Sequence, residues 1–215
     1  MQEEAKFLKN DVKYNILIGD QFNAKAYYMT SRLGSNELCT ILTIIEESFS
    51  KIVFRDGYNG NKRHNLKKLY QDFYNYLPTF FGHGFKGIAI IYEMENTSID
   101  ESFKLGIEYG YCIQFGIFSY IMSAIEDHNL KDVIKIKLKK ISSLVQFLSI
   151  ETLEEILKSM SVFSYKNLKI EFAQLSMMHG QKWHEILDNM DAPDEIKLKM
   201  KSHINEFNED LIKIT

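Results

Sequence analysis

Apolar residues recur every three to four positions along most of the chain. From Glu37 onward, Leu38, Ile41, Leu42, Ile45, Phe49, Ile52 and Val53 form a stripe at i, i+3, i+4, i+7 spacing, the pattern of an amphipathic helix. No stretch alternates as a half-buried strand does, and Pro78 and Pro193 are the only prolines. The segment NGNKRHNLKKLYQDFYNYLP reads as a loop followed by a helix that Pro78 helps end. The glycine-rich FGHGFKG then precedes a short apolar helix through IAIIYEM. SIDE, Ser98–Glu101, has the form of a capping box and opens a long helix to about Asp127. Further helices are expected over Lys131–Leu148, Glu151–Met160, Tyr165–Asn189 and Pro193–Ile214. With no internal repeat, low-complexity tract or linker long enough to divide domains, the chain reads as one all-α domain over residues 1–215, a single helical bundle.

The long helix is informative in itself. Its run GYCIQFGIFSYIMSAI, Gly110 to Ile125, carries no charge over 16 residues, short of the roughly 20 a membrane span requires. It therefore predicts a buried core helix. Gly106, Gly110 and Gly116 fall within that helix, and each costs about 1 kcal/mol against Ala. Their presence predicts a close helix crossing.

Composition narrows the function classes. The 215 residues are 45% apolar and 13% aromatic, enough for a large core. A net charge of −3 argues against a general nucleic-acid binder, which needs a basic surplus. Cys39 and Cys112 cannot make a disulfide framework and fit a reducing cytoplasm. MQEEAKFLKNDVKY is acidic and polar, unlike a signal peptide. The expected location is cytoplasmic, with no transmembrane segment.

One stretch resists a purely structural account. ILIGDQFNAKAYYMTSRLG, Ile16 to Gly34, reads as a buried helix, yet Gly19 and Asp20 cost it propensity and set a carboxylate among apolar neighbours. LIGDQFNAKAYYMTSRLGSNEL resembles the L-x-G-D-x-x-x-A-x-A helix of the trans-isoprenyl diphosphate synthases. KGIAII, Lys86 to Ile91, is similar to that family's K-T-A-x-L-[IF], with Gly87 in place of Thr. FKLGIEYGYCIQFGIFSYIMSAIED, Phe103 to Asp127, resembles F-G-x-x-L-G-x-x-F-Q-I-x-D-D-I-L-D. The first segment followed by ILTIIEESFSKIVFRD looks most like the small non-catalytic component of two-component synthases, heptaprenyl diphosphate synthase component I. The resemblance spans about Ile16–Asp127. It implies an isoprenoid-synthase-like bundle lacking the fold's first helices. It also implies a cavity or substrate face that includes Asp20, Phe22, Asn23, Tyr27, Lys86 and Gln114. The partner it implies is a catalytic polyprenyl synthase large subunit or a second copy of this chain, with a prenyl diphosphate as ligand and dimer contacts along the Leu38–Val53 stripe. A structural role for Asp20, capping or pairing with a neighbouring helix, stands beside that reading.

The departures from the family pattern point away from catalysis. Synthases hold magnesium with two aspartate-rich motifs, because Mg²⁺ takes hard carboxylate oxygens. The first motif lies upstream of the GD helix, which here begins about fifteen residues into the chain. Aligned through Gln114, the second motif's carboxylates fall on Ile117, Phe118 and Ile121. Glu126–Asp127 lies nine residues beyond Ile117–Phe118, roughly 13 Å along a helix at 1.5 Å per residue, too far for the same cluster. No catalytic residue, metal ligand or cofactor is assigned; magnesium enters only through a catalytic partner.

Other chemistry is sparser. His179 and His184 in MMHGQKWHE are five apart rather than four, the spacing a helical metal pair needs, and read as ordinary polar positions. The cysteines form no zinc pattern. KRHNLKK, Lys62–Lys68, is a local basic patch whose plain reading is a solvated helix start. IEESFSKIVFRDGYNGNKRHNLKKLYQDF also resembles HEPN domains, helical modules of bacterial defence and toxin–antitoxin systems, which gives the alternative function of an interaction module. Catalytic HEPN ribonucleases use Arg-x(4–6)-His, and none of Arg32, Arg55 and Arg63 precedes a histidine at that spacing; eight residues separate Arg55 from His64.

Overall fold

A computed structural model of the chain describes residues 20–21, 23–58, 75–126 and 165–213. Every regular element among them is an α-helix. We number them α1 (residues 20–21 and 23–32), α2 (Asn36–Tyr58), α3 (Tyr76–Ile91), α4 (Asn96–Glu126), α5 (Tyr165–Asn189) and α6 (Asp194–Ile212). The expected helices over Lys131–Leu148 and Glu151–Met160 lie outside the described residues. The chain falls into two compact units that divide within α2, between Ile44 and Ile45.

The first unit is a helical hairpin whose turn is written locally. Gly34 adopts φ +66°, the left-handed conformation that glycine reaches without a Cβ clash and that commonly ends a helix. Ser35 then caps α2, its Oγ accepting the Leu38 N–H at 3.2 Å. That bond satisfies one of the orphan donors of the first turn. Tyr27 and Thr43 hydroxyls meet at 3.4 Å across the hairpin, and the Cys39 thiol reaches the Thr30 hydroxyl at 3.6 Å. Leu38 and Ile41, the leading residues of the α2 stripe, are buried.

The second unit is organised around α4, which touches α3, α5 and α6. From Cys112 to Ser123 every residue of α4 is buried. A helix apolar on all sides is stable in water only when other elements surround it. Among the described residues no helix is long and apolar enough to cross a membrane. α5 offers one face at helical spacing, Phe172, Ala173, Ser176, Gly180, Trp183 and Leu187. α6 adds Ile204 and Leu211, and opens with Asp194 and Glu195, whose charges complement the positive end of the helix dipole.

The glycines of α4 sit where helices approach most closely. A Cβ on Gly106 would collide with the backbone of Phe81, and one on Gly110 would lie 2.5 Å from Pro78 N and 2.6 Å from Leu77 O. Both positions form the α3–α4 seam. Gly116 faces the Phe207 ring of α6 instead, so the three glycines serve two crossings.

Three boundaries differ from the sequence expectation. Pro78 stands in the first turn of α3 and starts that helix rather than ending one. Its missing N–H is one of the orphan donors there in any case. FGHGFKG is helical throughout; Gly82 is buried under Ile107 and Phe103, and Gly87 is buried too, so packing outweighs their low propensity. α4 begins at Asn96, with Ile99 N–H bonded to Glu95 O at 3.0 Å, which places Ser98 inside the first turn rather than at the cap. Between α3 and α4 the bonds Glu93 N to Ile90 O and Met94 N to Ala89 O close the helix end. Glu93 takes φ 53° there, a place usually held by glycine.

Candidate functional site

The residues implicated by the sequence are divided between the two units. Asp20 and Asn23 are exposed on α1, and Tyr27 is half-buried against Thr43. Phe22 lies outside the described residues. Exposed Asp20 corrects the reading of Ile16–Gly34 as a buried helix: over its described part, α1 turns only a narrow face, Ala26, Tyr27 and Thr30, away from solvent. Tyr28, Met29 and Leu33 remain 57–61% exposed, and the Arg32 guanidinium stands 5.9 Å from the Tyr28 ring centroid. Lys86 and Gln114 belong to the second unit, Lys86 on α3 and Gln114 on α4. Gln114 is buried, and its Oε1 accepts the Leu77 N–H at 3.3 Å. Tyr111, one turn earlier, donates to Asn75 Oδ1 at 3.3 Å. These two side chains of α4 thus anchor the start of α3, a positioning role for Gln114. Lys86 is half-buried eight residues after Pro78. His83, three residues before it, has its pKa lowered by burial and by the Lys86 charge.

The histidines of MMHGQKWHE part ways. His179 Nδ1 meets Glu108 Oε2 at 2.6 Å, and its ring stacks on Tyr111 at 4.7 Å and Phe115 at 5.6 Å between centroids. His184 faces elsewhere, its pKa lowered first by burial and then by Lys201. His179 is therefore a packed partner of α4 rather than an ordinary polar position, and the signal for it was its i, i+7 relation to Phe172 on the inward face of α5.

Cys112, Ser176, His179 and Glu108 are neighbours across α4 and α5, a set of residue types that invites comparison with a nucleophile, base and orienting acid. The geometry does not support that chemistry. Ser176 Oγ donates to Cys112 O at 2.7 Å, both side chains are fully buried, and burial pushes the Cys112 thiol up to about 12. A thiol held neutral and out of reach of solvent is an inert core residue. Tyr76 and Tyr120 are likewise pushed up to about 12, by burial and, for Tyr120, also by Asp210. All three groups are raised in the folded state. The stability they contribute is therefore fully present below their unfolded values of 9.0 and 10.0 and is lost as pH rises toward 12. The melting temperature should be flat from pH 7 to about 9 and fall steadily above it; a melting temperature unchanged at pH 11 would contradict the neutral burial of these groups.

A concave feature of the second unit is a cleft of about 560 Å³ between α3, α4, α5 and α6. That volume is within the usual range of small-ligand sites. Phe85, Tyr109, Tyr120, Trp183 and Phe207 supply rings to its wall, with Ile113, Met200 and Ile204 between them. Glu206, Asp210 and His203 complete it from α6. The Trp183 ring is 1% exposed, and its indole N–H has no hydrogen-bond partner. None of these residues was singled out by sequence reasoning. The periodicity of α5 and α6 could place them on the inner face, but not around a gap. Among the described residues no group of three or more His, Cys, Asp or Glu side chains could hold a metal ion.

Comparison with protein-family models, curated proteins and solved structures finds no match to this chain. The second half of the HEPN-like segment Ile45–Phe73, from Asn59 on, lies outside the described residues, and with it the basic patch Lys62–Lys68.

Proposed function

We propose that the chain is a non-catalytic subunit of a polyprenyl diphosphate synthase, which joins a catalytic partner and sets the length of its prenyl product. The observation that carries this reading is the condition of the helix resembling the family's GD segment. It presents Asp20 and Asn23 to solvent together with Tyr28, Met29, Arg32 and Leu33. Aromatic residues, Met and Arg are the types enriched at protein interfaces. Leu38 and Ile41 of α2 are buried, so α1 offers the better surface for association.

In the complex, magnesium and the carboxylates that hold it belong to the catalytic partner. This chain contributes Asp20, Asn23 and Tyr27 to the wall of the elongation cavity, with Phe22 and Tyr27 as the floor that stops growth. Removing a ring from that floor deepens the cavity by about one isoprene unit's worth of space.

The test is co-purification with a catalytic large subunit, followed by product sizing with isopentenyl and farnesyl diphosphates. The expected result is a stable complex, longer products from Phe22→Ala and Tyr27→Ala, and at least tenfold weaker association for Met29→Asp, a loss of about 1.4 kcal/mol or more. A chain that stays alone at all concentrations and leaves the products unchanged would refute the subunit reading in favour of a helical interaction module.

A further inference from the structure

We propose that the end of α3 and the turn into α4 form a docking face for a lysine- or arginine-rich amphipathic helix of another protein. The face lies wholly within the second unit, so the inference stands whether or not the chain has a synthase partner. α3 is apolar on all sides, with Lys86 its single charged residue. A helix of that kind is stable in water only when other elements surround it. Near its start it has that cover, since Pro78 and Phe81 pack on the glycines of α4. Toward its end one side is covered and the other is not. Gly87 and Ala89 are buried, while Ile88 and Ile91 are each 54% exposed and Tyr92 is 77% exposed. Met94, exposed as well, follows in the turn. Gly84 shares the side of Ile88 and Ile91 at i, i+4, i+7 spacing, and nothing lies within 4 Å of where its Cβ would stand. That leaves room for a second helix to approach closely. Large apolar side chains gathered at one end of a helix and rimmed by polar residues mark an interaction site.

The charge around this face selects its occupant. From Ile88 to Glu101 the chain carries Glu93, Glu95, Asp100 and Glu101 and no basic residue. None of the four is in an ion pair among the described residues. Lys86 leaves α3 about 200° round the axis from Ile88, at ~100° per residue. A second copy of the chain seated here in a two-fold contact would set carboxylates against carboxylates. Nucleic acid and anionic lipid carry the same sign and would be repelled too. A helix that sets an apolar stripe on Ile88, Ile91, Tyr92 and Met94, with Lys or Arg on its flanks, satisfies both the apolar surface and its acidic rim.

The test titrates the full-length chain into a fluorescein-labelled peptide of about 14 residues, four helical turns, made of leucine and lysine so that the leucines share one face. Fluorescence anisotropy is the readout. One control peptide has the same composition scrambled to remove the apolar face, and the other has glutamate in place of every lysine. Saturable binding of the leucine–lysine peptide is expected, at least tenfold tighter than that of either control. Ile88→Ser combined with Ile91→Ser should weaken it at least tenfold with the helical circular dichroism unchanged. Glu93→Gln combined with Glu95→Gln should weaken it at least threefold. Ile196→Ser combined with Leu198→Ser, at exposed apolar positions of α6, should leave it unchanged. Should the Ile88 and Ile91 double variant fail to fold, Tyr92→Ser alone should weaken binding at least threefold. Equal binding of either control peptide, the absence of saturable binding, affinity unaltered in the folded α3 variants, or an equal loss in the α6 variant would each overturn the proposal. So would a dimer of the chain, or binding to phosphatidylserine vesicles, that Ile88→Ser with Ile91→Ser abolishes, since the face would then belong to a second copy or to a membrane. These outcomes are independent of co-purification with a synthase.

Discussion

Gly110→Ala should destabilise the protein by about 3 kcal/mol, at the upper end of the usual cost of overpacking. An alanine methyl there would meet Pro78 and Leu77 backbone atoms, 2.5 Å from Pro78 N and 2.6 Å from Leu77 O. Backbone in the first turn of a helix cannot rotate aside as a side chain can. Relief requires α3 and α4 to separate, which would also lengthen the bond between Gln114 and Leu77. The roughly 1 kcal/mol that alanine gains over glycine in helix propensity offsets only part of the loss. Two companion variants make the test discriminating. Gly116→Ala meets the end of the Phe207 ring, which can turn, so its cost should be smaller. Gly84 has open space where a Cβ would stand, and Gly84→Ala should raise stability by about 0.5–1 kcal/mol. Urea denaturation of the three proteins gives the order directly. A neutral Gly110→Ala would mean that the α3–α4 seam is not as close as described.

Phe115→Ala should cost about 4 kcal/mol, the usual range for emptying a buried phenylalanine site being 3–5 kcal/mol. Phe115 is 1% exposed and stands at the centre of an aromatic ladder joining α4 to α5. Tyr111 stacks on it at 6.0 Å and Phe172 at 6.1 Å, with His179 parallel at 5.6 Å and Phe118 edge-on at 6.4 Å. Such contacts add to the area term. Removal leaves a void among rigid rings that cannot collapse inward, and it frees the His179 ring on one side. Against a typical total stability of 5–15 kcal/mol, the variant should unfold at markedly lower denaturant with an unchanged slope. Tyr92→Ala, at a site 77% exposed, should shift stability by no more than about 0.5 kcal/mol. A small effect at Phe115 would show that the ladder is not part of the core.

Much of the fold is written in local signals. The 3.6-residue repeat of apolar positions determined α2, α4, α5 and α6 nearly to their ends, because burying one stripe is what stabilises a helix in water. The uncharged run of α4 identified the central helix, and its three glycines announced close crossings, since a residue so costly to a helix persists where a Cβ does not fit. Pro78 and FGHGFKG were misread for the converse reason. Local propensity disfavours the glycines of FGHGFKG in a helix, and contacts with Ile107 and Phe103 outweigh it at Gly82, while Pro78 fits a first turn, where its missing N–H costs nothing. The turn at Gly34 and Ser35 was legible in principle, its glycine and cap being local chemistry.

The sites were decided by tertiary structure. Nothing in the spacing of Tyr109, Tyr120, Trp183 and Phe207 says that rings from three helices surround one void, because a cavity is a property of the gap between helices and not of any one face. Gln114 Oε1 accepts the Leu77 N–H, a contact between two helices that no local pattern announces, since a buried donor must find an acceptor. Sequence alone determined which residues become helix and which face of each turns inward; the register of one helix against another, fixed by where glycine permits contact, decided which side chains meet.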